Sequence, residues 1–271
     1  MEKEYYFRDI TQTDWEKFHE MDLQIFPDEP MNKNSLISGI SGLNALTVIM
    51  VDKETKNFIG YYRNAVYGNL GHITRIGVHP DYRRKGYGSK LLEKSMFYLE
   101  KAGCKKYYLY VLEKNEEAKK LYEKYGFTTE TKSFQYFVPK EHLVEKPRGR
   151  CRHVDWGEIQ MISLRFNLNP YQIQNYFSRE DQYILVYEML GQQIGFCRFS
   201  PNFPGAMPFI LKDPEYVADF VTILHDYITD KKLGNVRITF DGQERLVQKL
   251  AEEKIPINYE LLRMSRPAKL D

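Results

Sequence analysis

The chain has 271 residues, of which 42% are apolar, and a formal net charge of +2. This length suits two domains, and the apolar fraction is sufficient for packed cores. The balanced charge and the lack of a reader motif argue against nucleic acid and membrane surfaces as partners. No run approaches a membrane span, the start lacks a signal peptide's apolar stretch, and three scattered cysteines form no zinc pattern. We therefore expect a cytoplasmic protein without a metal.

The first half alternates strand-like and helix-like patterns that are separated by turn residues. The predicted elements are, in chain order, a strand at 4–10, helices at 15–26 and 31–40, strands at 45–51, 58–66 and 72–78, a helix at 88–103, a strand at 106–112, a helix at 115–125 and a final strand at 127–138. The predicted order is thus β-α-α-β-β-β-α-β-α-β.

The most informative segment is Arg83–Gly88, RRKGYG, which joins an apolar strand to a helix. Helix N-termini attract anions, glycines permit close approach, and the basic side chains add charge, so the segment predicts a phosphate-binding loop. It does not supply a P-loop, and a dinucleotide fingerprint would need glycine at Leu91. A basic surface turn before a helix is the alternative.

Two motifs carry a family resemblance. Arg83–Gly88 reads R-x-x-G-x-G, which resembles the acyl-CoA-binding motif of the GCN5-related N-acetyltransferase (GNAT) family. About 30 residues later, Asn115–Phe127 reads N-x-x-A-x-x-L-Y-x-x-x-G-F, which resembles the family's later motif. The element order is also similar to that of the family. The resemblance implies an α/β fold with a central mixed, mostly antiparallel sheet flanked by helices.

The resemblance further implies that acetyl-CoA is the co-substrate. The backbone that would pair with its pantetheine arm belongs to Ile76, Gly77 and Val78. The residues that would bind its pyrophosphate are Arg83, Arg84, Lys85, Gly86, Tyr87, Gly88 and Ser89. Asn115 would contact the cofactor near the next helix, or serve as a helix cap, or do both. Gly77 would leave room for the arm, or be a packing or bulge glycine.

By the same resemblance, an acceptor amine attacks the thioester directly while both substrates are bound. Tyr122 lies where the family places its general acid, and its alternative role is an aromatic residue of an amphipathic helix. The amide of Val78 would polarise the thioester carbonyl. Many members place a glutamate base near positions 72–75, where this chain offers His72. A surface histidine and a water-mediated proton transfer are the alternatives to a His72 base.

The second half repeats the element order of the first. Asp155-Trp156 opens a helix as Asp14-Trp15 does, but the residues after Leu211, KDPEY, contain no glycine and no arginine pair. Acidic residues at this position interact favourably with the positive end of the helix dipole, but they repel a phosphate. We therefore predict a catalytic GNAT domain at 1–138, a linker at 139–151, and a degenerate GNAT-like domain at 152–271 without the pyrophosphate loop.

Two functions fit these patterns. The first is an N-acetyltransferase that uses acetyl-CoA and a primary amine of a small molecule or peptide, and the second is a non-catalytic CoA or small-molecule sensor. The acceptor would bind in a cleft shaped by residues 27–44, where Asp28 and Glu29 would attract a cationic amine. Tandem halves are compatible with a monomer or a homodimer.

Overall fold

The chain folds into two compact units. The computed structural model describes residues 4–41, 45–178, 181–230 and 232–268. The N-terminal unit consists of Met1–Tyr110, Glu116–Thr128 and Met264–Asp271, and the C-terminal unit consists of Val111–Asn115 and Thr129–Arg263. No helix among these described ranges is long and apolar enough to cross a membrane.

The first half of the chain contains five strands and four α-helices in its described part. They are β1 (Tyr5–Asp9), α1 (Trp15–Ile25), α2 (Lys33–Ser41), β2 (Ala45–Asp52), β3 (Phe58–Tyr67), β4 (Leu70–Val78), α3 (Tyr87–Lys101), β5 (Lys106–Leu112) and α4 (Glu116–Lys124). The strands β1 to β4 pair antiparallel in sequence order, and β4 pairs with β5 in parallel.

Helices cover both faces of this sheet because successive strand residues point to opposite sides. On β3, Tyr61 packs with the buried stripe of α1, which includes Phe18 and Met21. Its neighbour Tyr62 packs on the other face with Leu91 of α3. The core of the unit therefore lies in two layers, one on each side of the sheet.

The second half contains seven further strands and four helices in its described part. They are β6 (Thr128–Pro139), β7 (Arg150–His153), α5 (Ile159–Phe166), α6 (Pro170–Phe177), β8 (Tyr183–Met189), β9 (Gln192–Ser200), β10 (Gly205–Leu211), α7 (Val217–Asp226), β11 (Asn235–Asp241), α8 (Glu244–Glu252) and β12 (Ile257–Pro267). Six of these strands lie in the order β6-β11-β10-β9-β8-β7, and only the β10–β11 pair among them is parallel.

The same two-layer packing recurs in the C-terminal unit. On β8, Ile184 and Val186 pack with α5 and α6, whereas Leu185 and Tyr187 pack with α7. Both halves are thus mixed, mostly antiparallel sheets flanked by helices, which confirms the predicted fold class.

The division into units differs from the predicted boundary at residue 138. All but the first residue of β6 group with the C-terminal unit, because β6 pairs with β11 in continuous register from Ser133 to Pro139. In turn, residues 264–268 group with the N-terminal unit, where Arg266 donates to the Tyr125 carbonyl at 2.6 Å. The sequence pattern identifies β6 correctly as a strand, but it carries no information about which sheet the strand joins.

The predicted linker at 139–151 is also part of the C-terminal fold. The Val144 N–H donates to Thr222 Oγ1 at 2.9 Å, and Arg150 begins β7. The Arg148 guanidinium forms a 2.7 Å ion pair with the carboxylate of Asp219, which is almost fully buried. Arg148 is therefore fixed by a carboxylate that lies 71 positions away in the sequence.

Candidate functional site

The strands β4 and β5 separate part-way along their length. Their parallel pairing runs from Leu70–Lys106 to Ile73–Leu109 and stops there. On its other side β4 remains paired with β3 as far as Val78. The edge of β4 that faces β5 is therefore without a β5 partner over residues 74–78, and its peptide groups are available to a ligand that imitates a strand. This stretch contains the predicted pantetheine-binding residues Ile76, Gly77 and Val78.

At the end of this open edge, the chain forms a concave loop. Arg84 and Gly86 have φ values of 62° and 79°, and the helix α3 starts at Tyr87. Alternation of left-handed and ordinary conformations turns successive N–H groups to one side, which is the geometry of an anion-binding nest. Within the described ranges, no backbone N–H of residues 84–89 donates to a protein acceptor, whereas the Lys90 N–H bonds to the Gly86 carbonyl at 3.3 Å.

The loop is fixed to the strand by side-chain contacts. Arg83 Nε donates to the Val78 carbonyl at 3.1 Å, and Lys85 Nζ donates to the Asp81 carbonyl at 2.7 Å. The exposed Arg84 side chain lies 3.7 Å from a Glu117 carboxylate oxygen. Since pairs between exposed side chains are weak, this contact leaves the arginine able to bind a phosphate.

Gly88 brings the loop, β4 and α4 together. A Cβ atom at this position would lie 3.5 Å from the Leu121 side chain and 3.9 Å from the Val78 side chain. The first turn of α3 therefore lies against both the end of β4 and the helix that carries Tyr122. The predicted pyrophosphate-binding residues and the predicted strand edge thus form one continuous surface.

Gly77 has a packing role. A Cβ atom at this position would lie 2.4 Å from Ile25 Cγ2 and 3.1 Å from the Phe26 ring. Of the alternatives that the sequence leaves open, the structure supports the packing glycine, because the missing side chain makes room for the end of α1. Because the His79 N–H bonds to the Ile59 carbonyl of β3, the alternation of the antiparallel ladder turns the N–H and carbonyl of Gly77 toward β3 and those of Ile76 and Val78 toward the open edge.

Tyr122 lies inside the unit, on α4. Its ring is 6.0 Å from that of Phe127, and burial raises the pKa of its hydroxyl well above the usual value. The hydroxyl therefore stays protonated at neutral pH, as a general acid must. Asn115, which directly precedes α4, donates its N–H to the Leu112 carbonyl at 2.9 Å and belongs to the C-terminal unit. Its predicted cofactor contact stays a prediction.

His72 stands at the closed end of the separation between β4 and β5. Its imidazole stacks on the Tyr108 ring at 4.1 Å, and the rings of Tyr67 and Tyr110 lie 6.4 Å and 5.8 Å away. The imidazole is thus part of an aromatic cluster next to the last paired residues of the two strands. Its predicted role as a base stays a prediction.

A buried carboxylate supports the segment that follows α1. Asp22 is fully buried, accepts a hydrogen bond from the Tyr61 hydroxyl, and accepts another from the Met31 N–H at 2.5 Å. Arg75 of β4 lies 3.9 Å from Asp22 and donates to the Glu29 carbonyl at 2.5 Å. These contacts fix residues 26–31, which belong to the predicted acceptor segment 27–44. Its residues 42–44 lie outside the described residues.

The sequence pattern does not predict Asp22 and Arg75 as elements of this site. The available signal was an acidic residue within the apolar stripe of α1, directly after Met21. A carboxylate on the buried face of a helix needs partners, and those partners mark the part of the sheet that it covers. The described residues contain no group of three or more His, Cys, Asp or Glu that could hold a metal ion.

Comparisons with known proteins show similarity in sequence and in fold. N-alpha-acetyltransferase 30 of Xenopus laevis is 34% identical over 68 residues, which are 25% of this chain and 25% of that protein. A GCN5-related N-acetyltransferase from Sphaerobacter thermophilus has a TM-score of 0.71 at 12% identity, with 98% of this chain and 96% of that chain covered. A tandem GNAT protein from the clavulanic acid biosynthesis pathway has a TM-score of 0.66 at 11% identity, with 99% and 100% covered.

The two structural likenesses show the fold over the whole chain, and the sequence match spans a quarter of the curated relative's length. Residues 7–127 match the acetyltransferase (GNAT) family. The chain therefore consists of two GNAT folds in tandem, and its residues 7–127 form a domain that belongs to the GNAT acetyltransferase family.

Proposed function

We propose that the protein is an N-acetyltransferase in which the N-terminal unit transfers the acetyl group of acetyl-CoA to a primary amine. The observation that carries the proposal is the run of N–H groups at residues 84–89, without protein acceptors in the described ranges, at the end of the open β4 edge. Membership of the GNAT family supports acetyl transfer in general. The choice of acetyl-CoA, the amine acceptor and direct attack with both substrates bound are the proposed parts.

The residues present fit an acyl-CoA. Helix N-termini and nests bind phosphate, and the side chains of Arg83, Arg84 and Lys85 add three positive charges to the loop. The peptide groups of Ile76 and Val78 on the open edge match the amide groups of a pantetheine arm. A side chain at Gly88 would extend toward Val78 and Leu121, so the glycine keeps this part of the surface open.

When bound, acetyl-CoA supplies an acetyl thioester, and the protein provides orientation and proton transfer. The Arg83–Ser89 loop and the edge of β4 would hold the cofactor, with the Val78 N–H available to polarise a carbonyl. Tyr122 would hold the proton that the departing thiolate requires, since its raised pKa keeps the hydroxyl protonated.

Deprotonation of the acceptor is assigned to His72 or to water. His72 lies beside the closed end of the strand separation, where an acceptor reaching the open edge would pass. Imidazole titrates near neutral pH, which suits a base for an ammonium group. Residues 26–31, which Asp22 and Arg75 hold in place, would form one wall of the acceptor cleft.

The test is release of free CoA thiol when acetyl-CoA is mixed with a panel of amines. The panel comprises peptides with a free N-terminus, peptides with an internal lysine, polyamines and amino sugars. Peptides with a free N-terminus are tested first, because the Xenopus laevis relative is named an N-alpha-acetyltransferase. We expect thiol release above the hydrolysis background with at least one class, and acetylated amine in equal amount. Tight CoA binding without release for any class would favour the sensor.

A further inference from the structure

The C-terminal unit repeats the strand separation of the N-terminal unit. The strands β10 and β11 pair in parallel only at Gly205–Arg237 and Ala206–Ile238. On its other side β10 remains paired with β9 as far as Leu211. The edge of β10 that faces β11 is therefore without a β11 partner over residues 207–211.

The two separated edges correspond residue by residue. Leu211 pairs with Gly195 of β9, as Val78 pairs with Gly60 of β3. Lys212 donates its N–H to the Ile194 carbonyl at 2.8 Å. In the same way, His79 donates its N–H to the Ile59 carbonyl at 2.9 Å. Phe209–Leu211 is therefore the counterpart of Ile76–Val78, the stretch proposed to pair with pantetheine.

In the C-terminal unit, a side chain already occupies this edge. Gln243 Oε1 accepts a hydrogen bond from the Leu211 N–H at 2.9 Å, and Gln243 Nε2 donates to the Phe209 carbonyl at 2.9 Å. In a parallel sheet, one residue of the neighbouring strand makes the same two bonds, to a carbonyl and to the N–H two residues later. The carboxamide thus takes the place of a strand neighbour.

The position of Gln243 explains how it reaches the edge. It directly precedes α8, as Asn115 directly precedes α4, and its backbone is left-handed with φ of 53°. The glutamine therefore comes from the chain position that corresponds to Asn115, the predicted cofactor contact.

The phosphate-binding loop has no counterpart in the C-terminal unit. Only residues 212–216 separate β10 from α7, and the Asp213 side chain accepts from the Glu215 N–H at 3.2 Å. The Glu215 carboxylate forms a 3.0 Å ion pair with Lys249. A phosphate at this helix start would meet two carboxylates instead of a run of free N–H groups.

We infer that Gln243 is an internal ligand of the C-terminal unit, whose carboxamide makes the two edge hydrogen bonds that a pantetheine arm would make in the N-terminal unit. The groove of the C-terminal unit is thereby closed to acyl-CoA by the chain itself. The loss of the phosphate loop alone would leave two buried peptide groups without partners, which is costly, and the glutamine satisfies both.

Amide hydrogen exchange at Leu211 in the full chain tests this assignment. We expect the Leu211 amide of the wild type to be strongly protected from exchange, to the same degree with and without CoA. Gln243→Ala should accelerate exchange at Leu211 at least about tenfold, while Val236 and Ile238 stay protected. Gln135→Ala is the matched control, because Gln135 is a buried glutamine of the same unit whose side chain contacts Thr239 and Asn258.

Millimolar pantetheine, which lacks the phosphates, should slow exchange at Leu211 again in Gln243→Ala. If that variant does not fold, Gln243→Asn, which is one methylene shorter, replaces it. Unchanged exchange in the variant, CoA-dependent exchange at Leu211 in the wild type, or no effect of pantetheine on the variant would each overturn the assignment. All three readouts are independent of acetyl transfer.

Discussion

At the scale of single residues, Tyr122 is the side chain whose proposed role depends most on its surroundings. Its side chain is 6% exposed, and burial raises the pKa of its hydroxyl. Burial disfavours the phenolate, so the pKa rises and the hydroxyl stays protonated at neutral pH. A departing thiolate next to this hydroxyl would be stabilised by the hydrogen bond that the hydroxyl donates to it.

Tyr122→Phe is expected to lower the turnover number about 100-fold and to leave CoA affinity unchanged. The change removes the proton donor and keeps the ring that packs near Phe127. The pKa of Tyr122 lies above the usual value of 10.0. Wild-type turnover should therefore show no loss from ionisation of Tyr122 below pH 10.0. Steady-state kinetics over pH and a CoA titration give both quantities.

Tyr125→Phe is the matched control, because Tyr125 lies just after α4 and its hydroxyl donates to Glu93 instead of facing the interior. Equal turnover in wild type and Tyr122→Phe would remove Tyr122 as the acid. A similar loss in both variants would show that the effect is structural.

The residue scale also shows what the sequence could and could not reveal. The motif residues Arg83–Gly88 could be recognised because their spacing is local and their backbone needs, such as the left-handed Gly86, are visible as residue types. Asp22 could not be assigned, because its partners Tyr61 and Arg75 are 39 and 53 positions away. Such contacts depend on which strand a helix covers, and a single sequence does not contain that information.

At the scale of elements, the contact between α1 and β4 depends on a missing side chain. The end of α1 lies so close to β4 that a Cβ on Gly77 would overlap with Ile25. The segment after α1 is also held to β4, because Arg75 donates to the Glu29 carbonyl. The packing thus links the stability of the unit to the shape of the proposed acceptor cleft.

Gly77→Ala should lower the free energy of unfolding by about 1–3 kcal/mol, as overpacking does. Chemical denaturation of the purified variant measures this change. Gly88→Ala is the matched control, because a Cβ there meets its neighbours at 3.5 Å and 3.9 Å, which is ordinary contact. Since alanine favours helices over glycine, the control should be as stable as the wild type or slightly more stable. Equal stability of Gly77→Ala and wild type would contradict the packing role.

Element order and type were predictable over most of the chain, because each helix or strand carries its own periodicity. The strand pattern at 127–138 correctly predicts β6, for example. The helix that Asp155-Trp156 is expected to open is α5, and a second helix, α6, follows it. Asn167, with φ of 52°, ends α5, and left-handed asparagine is a weak signal in a sequence.

At the scale of the whole molecule, the chain combines two related folds with different local chemistry. The N-terminal unit has an open strand edge that ends in a loop with free N–H groups. In the C-terminal unit, the corresponding edge is bound by Gln243 and the loop is absent. Duplication of the fold was visible in the sequence, whereas the grouping of β6 with the C-terminal unit was not, because pairing of β6 with β11 joins residues about 100 positions apart.

This asymmetry predicts the number of cofactor sites, and a calorimetric titration of the full chain with CoA measures it. We expect a single site per chain in the wild type, and about tenfold weaker binding, or about 1.4 kcal/mol, in Arg84→Glu, because the change reverses a charge at the pyrophosphate loop. Arg165→Glu, at an exposed position of α5, should bind CoA as the wild type does. Two sites per chain, or unchanged affinity in Arg84→Glu, would contradict the account.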